Sequence, residues 1–173
     1  MSHRTFILGG ARSGKSRFAL ELGNRQPGAK IYLATAEARD DEMAARIAAH
    51  QRERGGDWRT FEEARHVAET LQSLPEKDGV VILDCLTLWL CNVLLAAEGD
   101  EKKTRDRIGQ LISVSEKLNV DLIAVSNEVG QGIVPADARS RGFRDLAGAM
   151  NQGFAAASDA VYWMTAGIPQ KIK

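Results

Sequence analysis

The stretch GGARSGKS, residues Gly9, Gly10, Ala11, Arg12, Ser13, Gly14, Lys15 and Ser16, matches the pattern G-x-x-x-x-G-K-[ST]. It follows the apolar run TFILG (5–9) and precedes the helical pattern RFALEL (17–22). Such a loop curls so that successive N–H groups converge on phosphate oxygens, and the helix N-terminus adds partial positive charge. Lys15 is predicted to reach the β- and γ-phosphates and Ser16 to bind Mg²⁺. The alternative is a glycine turn with an exposed lysine.

Outward from this loop, short apolar runs alternate with longer helical patterns. The runs are TFILG (5–9), KIYLATA (30–36), VVILD (80–84), DLIAVSN (121–127) and AVYWMTA (160–166). Most lack polar alternation, which is typical of strands buried on both faces of a parallel sheet. Helices are predicted over 14–25, 40–54, 62–73, 86–98, 101–118 and 138–157, and the tail GIPQKIK as an antiparallel edge strand. The prediction is a single α/β domain over 1–173, with a mostly parallel sheet flanked by helices.

Composition limits the partners of this chain of 173 residues. Lys+Arg and Asp+Glu both number 23, so no bulk charge attracts nucleic acid or an acidic membrane. No apolar run approaches the roughly 20 residues that span a bilayer, and the N-terminus does not have the pattern of a secretory signal. Cys85 and Cys91 match no metal or redox motif. We expect a reduced, cytoplasmic protein without a membrane span and without a nucleic-acid partner.

A phosphate loop of this kind needs a carboxylate at the end of a neighbouring strand to complete the metal site. Asp84 ends the run VVILD and fits that position. It could equally be the N-cap of the helix that starts near Leu86. The presence of the phosphate loop favours the metal role.

The phosphate loop does not decide the reaction. The chain has no N-K-x-D guanine-reading motif, and it is too short for a motor or large ATPase. A small enzyme that moves a phosphoryl or nucleotidyl group fits best. A small-molecule kinase without nucleotidyl transfer and a nucleotide-binding regulatory module are the alternatives.

His50 lies in the charged helical segment DDEMAARIAAHQRER (40–54). The spacing of Met43, Ile47 and His50 predicts one face of a helix, so His50 could be a histidine at the edge of the core. A largely neutral imidazole could also attack the α-phosphorus of a nucleotide and expel pyrophosphate. The positive charges of Arg46, Arg52 and Arg54 are close enough in sequence to stabilise the negative charge that develops.

Ordered blocks along the chain carry a family resemblance. They are GGARSGKSR (9–17), IYLATA (31–36), DDEMAARI-x-x-H (40–50), W-R-T-x-E (58–62), NEVG-x-GIVP (127–135) and FRD-x-AG-x-x-NQ (143–152). In this order the sequence resembles the bifunctional adenosylcobinamide kinase / adenosylcobinamide-phosphate guanylyltransferases of cobalamin biosynthesis. The resemblance extends from Gly9 to the C-terminal KIK.

The resemblance implies two reactions and a set of site residues. ATP or GTP would phosphorylate the aminopropanol hydroxyl of adenosylcobinamide. GTP would then guanylylate His50, and the GMP would pass to adenosylcobinamide phosphate. The implied nucleotide contacts are residues 9–16, Ala34, Thr35, Ala36, Gln51, Arg52, Glu53, Arg54, Glu62 and Asp84. The family also implies a recombinase-type P-loop fold and a homotrimer.

The residues by themselves leave several of these roles open. Thr35 could hold a phosphate or cap the next segment, and Glu62 could contact ribose or guanine or be a first-turn helix acid. The segment NEVGQGIVP could be a substrate loop or a plain glycine turn. Three arginines could meet the corrinoid phosphate, a neighbouring subunit or solvent: Arg139, Arg141 and Arg144.

Other conspicuous side chains have a structural interpretation. His3 and His66 lie outside any recognisable motif, so solvated surface is expected. Trp58, Trp89 and Trp163 could stack on a corrinoid, but packing in the core or an interface is favoured. Gln131 receives no role.

Overall fold

The computed structural model describes residues 2–38, 40–75 and 78–173, except for the side chains of Glu42, Arg46, His50 and Glu53. Within these ranges the strands are β1 (Arg4–Gly9), β2 (Ala29–Ala34), β3 (Arg59–Glu62), β4 (Gly79–Asp84), β5 (Asp121–Asn127), β6 (Ala160–Thr165) and β7 (Ile168–Lys171). The helices are α1 (Lys15–Asn24), α2 (Asp41–Arg54), α3 (Val67–Ser73), α4 (Leu86–Ala96), α5 (Glu101–Glu116) and α6 (Ala138–Ala157). Strand and helix alternate along most of the chain, as the sequence predicts.

The described strands form one sheet in the order β3-β2-β4-β5-β1-β6-β7. Neighbouring strands from β3 to β6 are parallel, and β7 pairs antiparallel with β6. This confirms the mostly parallel sheet and the antiparallel edge strand. Because the parallel strands share a direction, their carboxyl ends meet at one edge, where open α/β sheets bind ligands.

One element differs from the prediction. The helix expected over 62–73 begins only at Val67, and residues 59–62 form β3 instead. Arg59 to Glu62 pair with Ile31 to Ala34 of β2. The sequence RTFE has no apolar run, and three of the four side chains in this edge strand are exposed. Backbone pairing to β2, which depends on the tertiary fold, makes it a strand.

The two faces of the sheet pack against different helices. On one face of the sheet, Ile7, Ile82 and Ile123 pack in a cluster with Ala19 and Leu20 of α1. The opposite face packs against α3, α4, α5 and α6 through a larger cluster that includes Phe6, Leu83, Leu90, Leu111 and Phe154. Side chains alternate between the two faces along each strand, which determines the face to which each terminal residue belongs.

The tryptophans confirm the packing interpretation. Trp58 and Trp89 are buried, and Trp163 is half-buried against the larger cluster. The indole N–H of Trp58 donates to Oδ1 of Asn24 at 3.0 Å, and that of Trp89 donates to a backbone carbonyl. In the described part of the chain, no helix has the length and hydropathy needed to cross a membrane.

Candidate active site

The phosphate loop joins β1 to α1 in the geometry that the motif requires. Gly14 immediately precedes α1 and has a φ of 90°, in the left-handed region that favours glycine. A Cβ at Gly9 would lie 2.6 Å from the backbone oxygen of Met164, so only glycine fits there. Helix α1 begins at Lys15, so its N-terminus, which carries partial positive charge, meets the end of the loop. A loop followed by a helix N-terminus in this arrangement is able to hold phosphate oxygens.

The side chain of Lys15 folds back over the phosphate loop. Its Nζ donates to the backbone oxygen of Gly10 at 2.6 Å and to Oγ of Ser13 at 3.4 Å. The side chain is largely buried, so the exposed turn considered from sequence is not what forms. A cation held within a phosphate loop can move onto phosphate oxygens with little reorganisation.

The turn between β6 and β7 supports the loop from the far side, a contribution that the sequence did not reveal. The N–H of Gly167 donates to the backbone oxygen of Ser13 at 3.0 Å. Ala166 and Gly167 line the same cleft as the phosphate loop. The C-terminal hairpin is therefore part of the site.

Asp84 ends β4 and faces this cleft. The N-cap of α4 is Cys85, whose Sγ accepts from the N–H of Leu88 at 3.4 Å. The alternative of Asp84 as the N-cap is therefore wrong. Its Oδ2 instead accepts a hydrogen bond of 2.6 Å from the hydroxyl of Tyr32. Asp84 and Ser16 together offer the hard oxygen donors that suit Mg²⁺.

Tyr32 and Arg54 form a buried pair next to Asp84. Burial, and then the charge of Asp84 and the hydrogen bond to it, raise the pKa of Tyr32 far above its ordinary value, so its hydroxyl remains a donor. The guanidinium carbon of Arg54 lies 3.6 Å from the centroid of the Tyr32 ring. Arg54 is only 8% exposed, donates to Oγ1 of Thr60, and its Nε has no partner among the described residues. This places a fixed positive charge in the cleft wall.

Thr35 has a structural role that the sequence left open. Its hydroxyl donates to the backbone oxygen of Cys85 at 2.7 Å and accepts from the N–H of Cys85 at 2.8 Å. The side chain is fully buried, so this hydroxyl is not available to a phosphate. It instead joins the ends of β2 and β4, while Ala34 and Ala36 line the cleft.

Helix α2 forms one wall of the cleft. Asp40 caps it by accepting from the N–H of Met43 at 2.7 Å. Met43 and Ile47 are half-buried and line the cleft together with Ala45 and Ala49. Two of the three residues whose spacing suggested a stripe packed in the core, Met43 and Ile47, thus line the cleft. The backbone of His50 belongs to α2, and its side chain lies outside the described residues, as does that of Glu53.

Gln51 and Glu62 are joined at the outer side of the cleft. Nε2 of Gln51 donates to Oε1 of Glu62 at 3.0 Å. Glu62 ends β3, so its interpretation as a first-turn helix acid is wrong. It also lines a second cleft, of about 520 Å³, which shares Ala36, Ile47 and Glu62 with the first. Both clefts open beside α2.

The main cleft has a volume of about 1260 Å³ and gathers most of the predicted site residues. Basic and acidic side chains both line it, including Arg12, Lys15, Arg17, Arg54, Glu21, Glu62 and Asp84. The lining also includes residues to which the sequence gave no role, among them Arg17, Glu21, Asn24, Tyr32 and Gly167. The described lining does not include Gly9, Gly10, Ala11, Thr35, Gln51 or Arg52.

The arginines near the start of α6 do not line either cleft. Nη1 of Arg141 donates to the backbone oxygens of Pro135 and Ala136. Arg144 pairs with Asp145, and Arg139 is exposed. In the segment NEVGQGIVP, only Asn127 lines the main cleft, whereas Ile133 and Val134 are exposed. His3 is half-exposed beside Asp159, and His66 is exposed, in keeping with a surface role.

Comparison with known proteins gives a consistent result. A family model described as cobinamide kinase / cobinamide phosphate guanyltransferase matches residues 5–172. The bifunctional adenosylcobalamin biosynthesis protein CobP of Pseudomonas aeruginosa is 42% identical over 98% of this chain and 97% of its own length. The protein CobU of Salmonella typhimurium, which carries the same description, is 40% identical over 96% and 98%.

Solved structures show the fold alone. An ATPase from a type III secretion system of pathogenic bacteria superposes with a TM-score of 0.60 and 14% identity, over 95% of this chain and 52% of that one. The RadB recombinase superposes with a TM-score of 0.55 and 16% identity, over 93% and 73%. These similarities confirm the recombinase-type P-loop NTPase fold.

Proposed function

The chain belongs to the cobinamide kinase / cobinamide phosphate guanyltransferase family, and from that premise we propose that it catalyses both reactions of the family. In the first, ATP or GTP phosphorylates the hydroxyl of adenosylcobinamide. In the second, GMP from GTP passes through a guanylylated histidine to adenosylcobinamide phosphate, which gives adenosylcobinamide-GDP and pyrophosphate.

The observation that carries this proposal is that one cleft joins two kinds of residue. Its floor contains the phosphate loop with Lys15 and Ser16, and the carboxylate of Asp84. Its wall is α2, the helix to which His50 belongs. A nucleoside triphosphate held by the loop would therefore lie beside the helix that supplies the nucleophile. A kinase without nucleotidyl transfer would not need a nucleophilic histidine on that helix.

In the kinase step, the hydroxyl oxygen of the acceptor attacks the γ-phosphorus. The bond from that phosphorus to the β–γ bridging oxygen breaks, the nucleoside diphosphate leaves, and the hydroxyl proton is released to solvent. Lys15 would move from the backbone oxygen of Gly10 to the phosphate oxygens, where its charge opposes the negative charge of the transition state.

In the guanylyltransferase step, a ring nitrogen of His50 attacks the α-phosphorus of GTP and pyrophosphate leaves. An oxygen of adenosylcobinamide phosphate then attacks the same phosphorus, and the phosphorus–nitrogen bond breaks. Arg54 would stabilise the developing charge, because its guanidinium is fixed in the cleft wall by Tyr32 and Thr60. Arg52 is exposed near the end of the same helix.

Ser16 and Asp84 would hold Mg²⁺ together with phosphate oxygens. The donor set fits, because Mg²⁺ in phosphate sites takes few protein ligands, chiefly oxygens. When bound, the ion would neutralise charge on the triphosphate.

The remaining predicted site residues would contact the guanosine part of GTP. Gln51 and Glu62, joined to each other, together with Glu53, Ala34 and Ala36, would contact the nucleoside. The chain would assemble as a homotrimer, as the family resemblance implies. It would work in the cytoplasm, because its two cysteines, Cys85 and Cys91, are free and suit a reducing compartment.

The test is the intact mass of the protein after incubation with GTP and Mg²⁺. We expect an increase equal to one GMP that is stable in alkali and lost in acid. Adenosylcobinamide phosphate should then discharge the adduct and yield adenosylcobinamide-GDP. If nucleotide binds but no adduct forms, the chain is a kinase without nucleotidyl transfer.

A further inference from the structure

We propose that the side-chain amide of Asn127 contacts the terminal phosphoryl group of the bound triphosphate and stabilises its transfer. This inference rests on the proposed function. Asn127 is the last residue of β5, the strand between β4 and β1. It pairs in register with Gly9, the first glycine of the phosphate loop. It thus lies between the loop that binds the phosphates and the strand that carries Asp84.

The alternation of side chains places the amide on the phosphate side of the sheet. Val125, two residues earlier, belongs to the cluster that packs on the α1 face, as does Ile82, two residues before Asp84. Asn127 and Asp84 therefore project from the same face at the same edge. Asn127 lines the main cleft with Lys15, Ser16 and Asp84.

The backbone of Asn127 is held by side chains from two helices on the opposite face. Its N–H donates to Oγ1 of Thr87 at 2.7 Å, and its carbonyl accepts from Nδ2 of Asn151 at 3.2 Å. The hydroxyl of Ser126 joins this group by donating to Oδ1 of Asn151 at 2.8 Å, and it lies 3.2 Å from Oγ1 of Thr87. These buried polar groups satisfy one another and leave little freedom to the strand end.

The amide itself has no hydrogen-bond partner among the described residues, although the backbone around it is held on both sides. A carboxamide offers two N–H donors without a charge. Donors already in place where negative charge develops contribute strongly to phosphoryl transfer, since they need no reorganisation. The amide of Asn127 would donate to an oxygen on the γ-phosphorus as the bond to the bridging oxygen breaks.

The first test compares the binding of GDP and of a non-hydrolysable GTP analogue to the purified protein in Mg²⁺. Asn127→Ala should weaken binding of the analogue by about tenfold, which corresponds to the loss of one hydrogen bond to a charged group. The affinity for GDP should stay unchanged. Asn119→Ala is the matched control, because Asn119 is exposed just before the other end of the same strand. An equal loss for both nucleotides, or no loss for either, would overturn the proposal.

A second variant separates a misfolded protein from a missing contact. Asn127→Asp keeps the shape of the side chain and introduces a negative charge beside the phosphates. It should weaken binding of the GTP analogue more than Asn127→Ala does, while the melting temperature of the variant stays that of the wild type. If the aspartate variant binds the analogue as tightly as the wild type, the amide does not face the terminal phosphate.

Turnover gives an independent readout. The kcat of cobinamide phosphorylation should fall by about a hundredfold in Asn127→Ala, as for the loss of one preorganised donor. Formation of the GMP adduct should fall less, since attack there is at the α-phosphorus. An equal fall in both rates would contradict the assignment to the terminal phosphate. If the wild type phosphorylates no cobinamide, the proposed function fails, but the comparison of GDP with the analogue still tests Asn127.

Discussion

The hydroxyl of Tyr32 donates a hydrogen bond of 2.6 Å to Oδ2 of Asp84, between two neighbouring strands of the sheet. Tyr32 is almost fully buried, and its raised pKa keeps the proton on the phenol. The carboxylate at the floor of the cleft is therefore oriented by a residue that the motif does not contain. Residues that orient a metal ligand in this way commonly affect metal affinity.

Replacing Tyr32 by phenylalanine removes that hydrogen bond and keeps the ring under Arg54. We expect the half-saturating Mg²⁺ concentration of either reaction to rise by about tenfold, and the free energy of unfolding to fall by about 1–2 kcal/mol. Titration of activity with Mg²⁺ and urea unfolding measure the two effects. Tyr162→Phe is the control, since Tyr162 lies on β6 and its ring contacts Phe18. An unchanged Mg²⁺ requirement in Tyr32→Phe would show that Asp84 does not need this partner.

Lys15→Ala should impair both half-reactions by at least about a hundredfold, because each requires the triphosphate to be held in the same loop. The rates of cobinamide phosphorylation and of GMP-adduct formation are the measurements. Lys117→Ala, at an exposed position after α5, should leave both rates unchanged. Retention of either full rate by Lys15→Ala would disprove the assignment of the loop to that reaction.

His50→Ala should abolish the GMP adduct and keep a measurable share of the kinase activity, because the imidazole is needed only as a nucleophile in the second reaction. Mass spectrometry and a phosphorylation assay on the same preparation separate the two effects. His3→Ala is a suitable control, since that side chain lies at the surface beside Asp159 and lines neither cleft. Loss of the adduct in both variants would point to a general effect on the fold.

Cys85 should resist thiol reagents in the native protein, whereas Cys91 should react. Burial, and then the charge of Asp84, raise the pKa of the Cys85 thiol from 9.0 to about 12, so it carries almost no thiolate near pH 8. Cys91 is only partly buried. Titration with a chromogenic disulfide should give one fast thiol in buffer and two in denaturant. Fast labelling that survives Cys91→Ser would contradict the burial of Cys85.

The same pKa shift predicts how stability depends on alkaline pH. The folded-state pKa lies above the unfolded value, so between pH 9 and about 12 only the unfolded chain loses this proton. The contribution of Cys85 to the free energy of unfolding should therefore be complete below pH 9 and decrease as the pH rises above it. Urea unfolding of Cys85→Ala and wild type at several alkaline pH values measures the difference. A constant difference would argue against the shift.

Much of the architecture follows from local sequence. The phosphate loop was identified because its function is carried by consecutive backbone groups, and the five apolar runs became strands because strands buried on both faces lack polar alternation. Strand β3 was missed because its exposed side chains leave no pattern. The start of α3 was predicted at residue 62 instead of Val67, because the end of β3 was not recognised as a strand.

The site divides in the same way. The sequence by itself determined the phosphate loop, the carboxylate at the end of β4 and the place of His50 in a helix, because each depends on residues close together along the chain. Only the tertiary structure brought Tyr32 to Asp84, Arg54 onto Tyr32, Gly167 to Ser13 and Asn127 beside Gly9. The first and last of these contacts depend on strand order and register, and the other two on how α2 and the turn between β6 and β7 lie against the sheet and the loop. Each brings together residues from different segments, and neither segment alone carries a pattern that predicts it.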